Sequence, residues 1–462
     1  MIRRWLRAGV AAWPALLVAF LSFVAYTLYG FLQWRRMSVP SWDLGIFTQL
    51  LRDYATLQAP IVPIKGAGFN LLGDHFHPLL IVLAPFYAAF PSGLTLLVLQ
   101  AALVALSAFI ITRLGAEKLG SAAGLAIGFA YAVSWGIDNA VASQFHEIAL
   151  ALPLLALSLA GIVRRRWLAA ALWAAPLVFV KEDLGLTVLI IGIVLLLRGA
   201  RHIGAALAAW GVFWFAATTL IILPLLNPHG TWDYGGSSNV GGSLAHLGET
   251  LASLVTTQKF ETIILLTLAT AALAFRSPLS LVVLPTLAWR FLAGNEVYWG
   301  PMWHYSAVLM PIIFVALIDA LLLTRRSRQA WLRVYGRIAV PIVVAFALVM
   351  LPQQPLAELL RPESYEPPPG AAVAALTVIP SGATVVSDLT YLAYLSSRDT
   401  VYWLGNAGNP AGDYVILDRN SGAWGVNPPA DAAAYAEQSF PNTSYRLVYS
   451  MDGYQVAERV RD

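Results

Sequence analysis

Five short stretches of this sequence gather side chains able to do chemistry. They are Asp43 in SWDLGIFTQL (41–50), Asp74, His75 and His77 in GDHFHP (73–78), and His146 with Glu147 in QFHEIA (144–149). Lys181, Glu182 and Asp183 follow in VKEDLGL (180–186), and His304 with Tyr305 in MWHYS (302–306). A carboxylate such as Asp43 can take a proton from an attacking hydroxyl, or only cap the helix beginning at Leu44. Asp74, His75 and His77 offer a carboxylate and two imidazoles to a divalent cation, or simply shape a loop. His146 and Glu147 read as a ligand-binding pair or an interfacial one. Three consecutive charges in KED are expensive beside apolar runs and need a polar cavity or a salt-bridged plug to offset them. His304 and Tyr305 read as substrate contacts or as belt residues.

The elements that must position these groups are membrane spans. The chain has 462 residues, 58% hydrophobic and 12% charged, against about 25% charged in ordinary soluble domains. Its 16 Trp, many near the ends of apolar runs, suit an interfacial belt. The net charge of +4 comes from basic residues in short loops, which mark topology rather than a nucleic-acid partner. The absence of cysteine excludes disulfides, a thiolate nucleophile and cysteine-based metal sites.

Apolar segments near 8–32, 93–112, 119–137, 147–163, 167–180, 184–198, 203–226, 260–275, 278–294, 305–324 and 337–352 give eleven candidate spans. MIRRWLRAGV and the run after it read as a retained first span, not a cleaved signal. The positive-inside rule places the N-terminus in the cytoplasm, with Arg3, Arg4, Arg7, Arg164–Arg166 and the cluster RRSRQAWLR (325–333) inside. All five chemical stretches then fall on the outer face of the membrane. Arg35 and Arg36 break the rule. The domain expectation is a transmembrane part (1–352) whose first outer loop (33–92) is partly helical, with 77–90 interfacial or re-entrant. A linker (353–370) leads to an extracytoplasmic α/β domain (371–462). The β-rich runs there are 383–387, 400–404, 413–417 and 445–450, the last followed by an Asp452-Gly453 turn and YQVAER.

WDLGIFTQ (42–49), GDHFHPLLIVLAPFY (73–87), QFHEIALALPLL (144–155), VKEDLGLTV (180–188) and WHYSAVLMP (303–311), with SSRDTVYWLG (396–405) and GDYVILD (412–418) in the tail, together resemble a bacterial multi-pass membrane family. It is catalogued as domain of unknown function 2079. That family in turn is similar to the glycosyltransferase C superfamily. Those enzymes take sugars from polyprenyl-phosphate carriers and keep an acid in the first outer loop, a place Asp43 matches. The superfamily's acids often stand in adjacent pairs. Here Trp42 and Leu44 flank Asp43, so a second acid has to come from elsewhere, such as Asp74 or Glu182.

The resemblance implies inverting sugar transfer from a polyprenyl-phosphate sugar at the outer leaflet. Asp43 is then the base, with Asp74 and Glu182 as further catalytic acids. Lys181 is the first choice to meet the leaving phosphate, with Arg35 or Arg36 as alternatives. His75, His77, His146, Glu147, Asp183, His304 and Tyr305 bind substrate. Asp74, His75 and His77 are candidates for a divalent cation. Trp42, Trp299 and Trp303 can stack on a sugar. The rival readings are a transporter or flippase of lipid-linked or anionic solutes, against which stand the missing repeats, and a non-catalytic assembly factor.

Overall fold

The computed structural model describes residues 12–236, 256–425 and 427–461. Arg3, Arg4 and Arg7 of the N-terminal basic segment lie outside the described residues. The chain is mainly helical, with a small C-terminal sheet. Among the described residues, six helices are long and apolar enough to cross a membrane. They are Trp13–Arg35, Gly93–Leu119, Ser121–Ala142, Arg201–Leu226, His304–Arg325 and Ala330–Gln353. Shorter apolar helices accompany them at Pro78–Ala89, Glu147–Val163, Trp167–Phe179, Leu184–Leu197 and Pro278–Leu292. The helix His304–Arg325 forms the centre, with Leu309 to Leu321 buried throughout. The outer helices leave Phe20, Leu21, Phe213, Leu220, Leu225, Trp331 and Val349 exposed. Water would not tolerate apolar faces of that extent, whereas a hydrocarbon layer covers them.

The segment 260–275 departs from its expected single span. Thr257–Leu268 ends, Ala271 and Ala272 take left-handed φ values of 47° and 56°, and a 3-10 turn covers Leu273–Arg276. Neither glycine nor proline marks this reversal in the sequence. Burial of Leu273 and Ala274 holds it, with the Tyr335 hydroxyl donating to the Ala271 carbonyl at 2.9 Å. The linker expected at 353–370 is also tied down. Both oxygens of buried Asp138 accept from the Leu356 amide (3.1 and 3.2 Å), and Arg35 donates to the Tyr365 carbonyl at 2.8 Å.

The sheet runs in the order β2-β1-β3-β5-β4: β1 Thr384–Ser387, β2 Thr400–Trp403, β3 Tyr414–Asp418, β4 Tyr445–Met451 and β5 Tyr454–Arg459. β1 is parallel to β2 and β3, while β5 is antiparallel to β3 and β4. Asp452 and Gly453, both at positive φ (50° and 85°), make the β4–β5 hairpin turn. This domain docks on the helix Ser41–Ala55. The buried Gln49 donates to the Val401 carbonyl (2.9 Å) and accepts from the Ile64 amide (3.2 Å). Arg52 donates to the Ser396 and Asp399 carbonyls, and Asn406 to that of Ile64 at 2.8 Å.

The helices Leu184–Leu197 and Arg201–Leu226 approach through glycines on both sides. A Cβ added at Gly211 would lie 2.5 Å from the Gly185 carbonyl oxygen, and one at Gly204 would lie 2.6 Å from that of Gly192. Small residues let backbones meet where no hydrophobic force drives helices together. Gly211→Leu therefore forces the pair apart, and a loss of about 1–3 kcal/mol or more is expected. Thermal unfolding in detergent measures it; an unchanged Tm would contradict the contact.

Candidate active site

A single cavity of about 580 Å³ brings the sequence stretches together. Asp43, Asp74, His75, His77, His146, Glu147, Lys181, Glu182, Asp183, His304 and Tyr305 all line it. The positions come from helix starts. Asp43 is in the first turn of Ser41–Ala55, which follows Pro40. Glu147 and His304 open their helices, and Asp183 is the residue before Leu184–Leu197. Two of these, Glu147–Val163 and Leu184–Leu197, are shorter than the roughly 20 residues of a full span and begin at the cavity wall.

Ion pairs organise the wall. Lys181 Nζ lies 2.9 Å from Glu147 Oε1, and Lys65 Nζ lies 3.0 Å from Asp74 Oδ2. His75 Nδ1 is 2.7 Å from Glu182 Oε1, whose other oxygen accepts from the Phe76 amide at 3.0 Å. His146 Nε2 faces Asp43 Oδ2 at 3.3 Å, and its Nδ1 donates to the Gln144 carbonyl at 3.1 Å. Gln144 holds that carbonyl in place with a left-handed φ of 70°, an uncommon conformation for a side-chain-bearing residue. His146 and His304 stack with centroids 3.6 Å apart, and His75 stacks on Tyr234 at 4.5 Å.

Burial works against every charge here, and partners decide which survive. Burial and Lys181 press the His75 imidazole toward neutrality, but Glu182 and Asp74 hold it above its ordinary value. Burial likewise opposes the charge on His146, and Asp43 outweighs it. Lys181 is buried yet held firmly protonated by Glu147, Asp183 and Glu182. Burial raises the Asp74 and Glu182 carboxyls; neighbouring His75, with Lys65 for Asp74, brings both below the usual range. His77 is the contrast: burial dominates and takes it down to about 4, a neutral imidazole.

Asp43 stands apart in access. Its side chain is 41% exposed, against 13% for Asp74, 3% for Glu147 and 2% for Glu182. It is the most solvent-accessible of these four carboxylates. Glu182 has both oxygens engaged, so to act on a substrate it must first release His75. Leu186, Phe215, Trp289 and Leu292 add apolar and aromatic surface to the lining. Several buried polar atoms of the lining have no hydrogen-bond partner: His77 Nδ1, Asp183 Oδ1, His304 Nδ1, Trp232 Nε1 and Trp289 Nε1. Such atoms are costly unless a ligand satisfies them.

Some expected residues lie elsewhere. Arg35 serves the linker carbonyls and, like Arg36, does not line the cavity. Of the three tryptophans singled out, Trp42 lines the cavity and Trp299 and Trp303 do not; Trp299 donates to the Ala293 carbonyl at 2.7 Å. The metal candidates are divided, Asp74 to Lys65 and His75 to Glu182, and among the described residues no group of three or more His, Asp or Glu has a metal-holding arrangement. Sequence reading also missed Lys65, Tyr234, Tyr298 and Arg290. Lys65 sits in PIKGAGFN, where Gly66 and Gly68 at φ of 137° and 71° bend the loop back; a lysine in a glycine turn was the available signal. Arg290 is fully buried and donates to Tyr298 O (2.7 Å), Gly300 O (2.7 Å) and Ser306 Oγ (3.0 Å), bracing the loop that carries His304 and Tyr305.

A family profile described as "Predicted membrane protein (DUF2079)" matches residues 34–456. A search of curated proteins finds no match. Among solved structures, ArnT from Cupriavidus metallidurans in the apo state is similar, with a TM-score of 0.51, 14% identity and coverage of 99% of this chain and 98% of that one. The Archaeoglobus fulgidus oligosaccharyltransferase in the apo form matches with a TM-score of 0.44 and 14% identity, covering 97% of this chain and 74% of that one.

The Glu147–Lys181 pair yields a double-mutant prediction. Glu147→Gln or Lys181→Met alone strands a buried charge and is expected to cost about 3–5 kcal/mol. The double variant should recover part of that loss. Denaturation of all four proteins in detergent checks this, and simply additive losses would refute the coupling.

Proposed function

The chain belongs to the DUF2079 family of predicted membrane proteins, and from that membership and the cavity we propose that it is a glycosyltransferase of the glycosyltransferase C type. It transfers a sugar from a polyprenyl phosphate at the outer face of the cytoplasmic membrane. The ArnT-like fold supports the class. The observation that carries the reading is one cavity with an accessible carboxylate, Asp43, a buried ammonium, Lys181, and a lipid-compatible apolar wall.

In the proposed reaction the acceptor hydroxyl attacks the anomeric carbon from the Asp43 side. Asp43 takes the hydroxyl proton as the new C–O bond forms. The bond from the anomeric carbon to the phosphate oxygen breaks, and the electron pair leaves with the lipid phosphate toward Lys181. A fixed cation aimed at developing negative charge lowers the barrier because it needs no reorganisation. Attack opposite to departure inverts the configuration. Trp42, Trp289, Tyr298 and Tyr305 offer aromatic faces to the sugar. The partnerless donors and acceptors of the wall suit its hydroxyls. Leu186, Phe215 and Leu292 suit the first prenyl units. His146 positions Asp43.

Purified protein in liposomes with radiolabelled polyprenyl-phosphate sugars tests the reading. Asp43→Asn is expected to slow transfer about 10²- to 10⁴-fold with Tm unchanged. Full activity in Asp43→Asn would remove the assigned base, and no turnover of any donor by wild type would remove the transferase reading.

A further inference from the structure

The charges of the cavity are matched one to one, with one exception. Lys65 faces Asp74, Lys181 faces Glu147, His75 faces Glu182 and His146 faces Asp43. Among the described residues, Asp183 is the lining carboxylate left without an ion-pair partner of its own. The bland use for an aspartate at this position is to cap the helix Leu184–Leu197, because it is the N-cap residue. It makes no capping hydrogen bond, forgoing roughly 1 kcal/mol that a capping aspartate contributes. Its Oδ1 is out of reach of solvent and has no partner. The carboxyl therefore neither caps its helix nor sits within ion-pair distance of a cation, although its charge adds to the field that keeps Lys181, two residues away, protonated.

A phosphate anion entering this poorly solvated place, which already holds one unmatched carboxylate, adds a second unmatched negative charge. Something has to compensate, since uncompensated buried charge is the costliest outcome available. Taking up a proton on the unmatched carboxylate breaks no ion pair. We propose that Asp183 contacts the phosphate of the bound donor in its protonated form, donating its O–H to a phosphate oxygen beside Lys181, so that donor binding takes one proton from solvent. This rests on the lipid-phosphate reading above and assigns a substrate contact to a residue that carries no step of the proposed transfer.

The surroundings fit. From its own turn Asp183 is faced by Lys181 and Glu182, and from other elements by His75 and Glu147. The phenols of Tyr234, Tyr298 and Tyr305 line the same cavity, while the helices Arg201–Leu226 and Pro278–Leu292 contribute Phe215, Pro285, Ala288 and Leu292. Burial raises the Asp183 carboxyl to about 6 against the pull of Lys181. In the free protein it is mostly ionised at pH 7, and a neighbouring anion raises it further.

The sign of the linkage follows. Binding favours the protonated carboxyl, so affinity for an anion is full below the free-state value and declines as pH rises through it. The test is titration calorimetry on the full chain in detergent, in buffers of different ionisation enthalpy. The probe is a long-chain polyprenyl methyl phosphate, a diester whose single charge does not change across the range. Wild type is expected to take up more than about half a proton per ligand at pH 7, with affinity falling by up to about tenfold per pH unit above the free-state value. Asp183→Asn keeps an N–H donor and should bind with uptake near zero and a flat profile. Equal uptake in Asp183→Asn would assign the proton to His75 or His146 and overturn the proposal, as would loss of binding in a folded Asp183→Asn protein. Should that variant fail to fold, a flat wild-type affinity across pH 5.5 to 8 overturns it alone. No binding of the probe to wild type at any pH overturns the lipid-phosphate reading itself.

Discussion

A buried charge must be paired or it does not stay charged, and much of this protein is arranged around that constraint. Lys181 has little access to water, and Glu147 at 2.9 Å keeps it an ammonium. To bring that pair together, the turn before Leu184–Leu197 must meet the start of Glu147–Val163. The same requirement draws the 63–77 loop inward, because Glu182 needs His75 and Asp74 needs Lys65. The cavity is what remains when several elements bring their charges to one place and cannot fill the space between. His77 shows the rule from the other side, since without an ion-pair partner burial takes its proton despite the field of Glu147.

The glycines do for the backbone what the ion pairs do for the side chains. Gly185 and Gly192 against Gly204 and Gly211 fix how closely the helix behind Asp183 meets its neighbour. A larger residue there would move the wall and every charge attached to it. On the opposite side, Ser41–Ala55 is clamped between the loop at Ile64 and the C-terminal sheet, with Trp42 edge-on to Trp403 at 4.8 Å. Asp43 is thus an accessible carboxylate on a helix held from two sides, as the proposed role of a positioned base requires.

Much of this was legible in the sequence because it rests on local cost. Long apolar runs announce membrane helices, and acids or histidines between them need a partner or a polar cavity. All five strands and the Asp452-Gly453 hairpin could be read from β-rich runs and turn chemistry. What the sequence concealed depends on partners far away along the chain. Nothing local distinguishes Glu182, which is spent on His75, from Asp183, which has no such partner. Nothing local reveals that Arg290 braces a loop, that Asp138 holds the Leu356 amide, or that the chain reverses at Ala271-Ala272 without a glycine. Lys65 looked like one more loop lysine until its loop was folded back against Asp74.

The dock between the helix Ser41–Ala55 and the C-terminal domain is made through main-chain atoms. Gln49, Arg52 and Asn406 grip the carbonyls of Val401, Ser396, Asp399 and Ile64 and the amide of Ile64. Grip of that kind is indifferent to which side chains the gripped residues carry. The outward side chains of the domain can therefore drift in sequence while Asp43 beneath stays at a fixed height. An insertion or a proline at these positions is another matter, because it moves the rungs themselves. The protein has in effect separated the part free to vary from the part that must hold still, and the boundary between them runs along a peptide backbone.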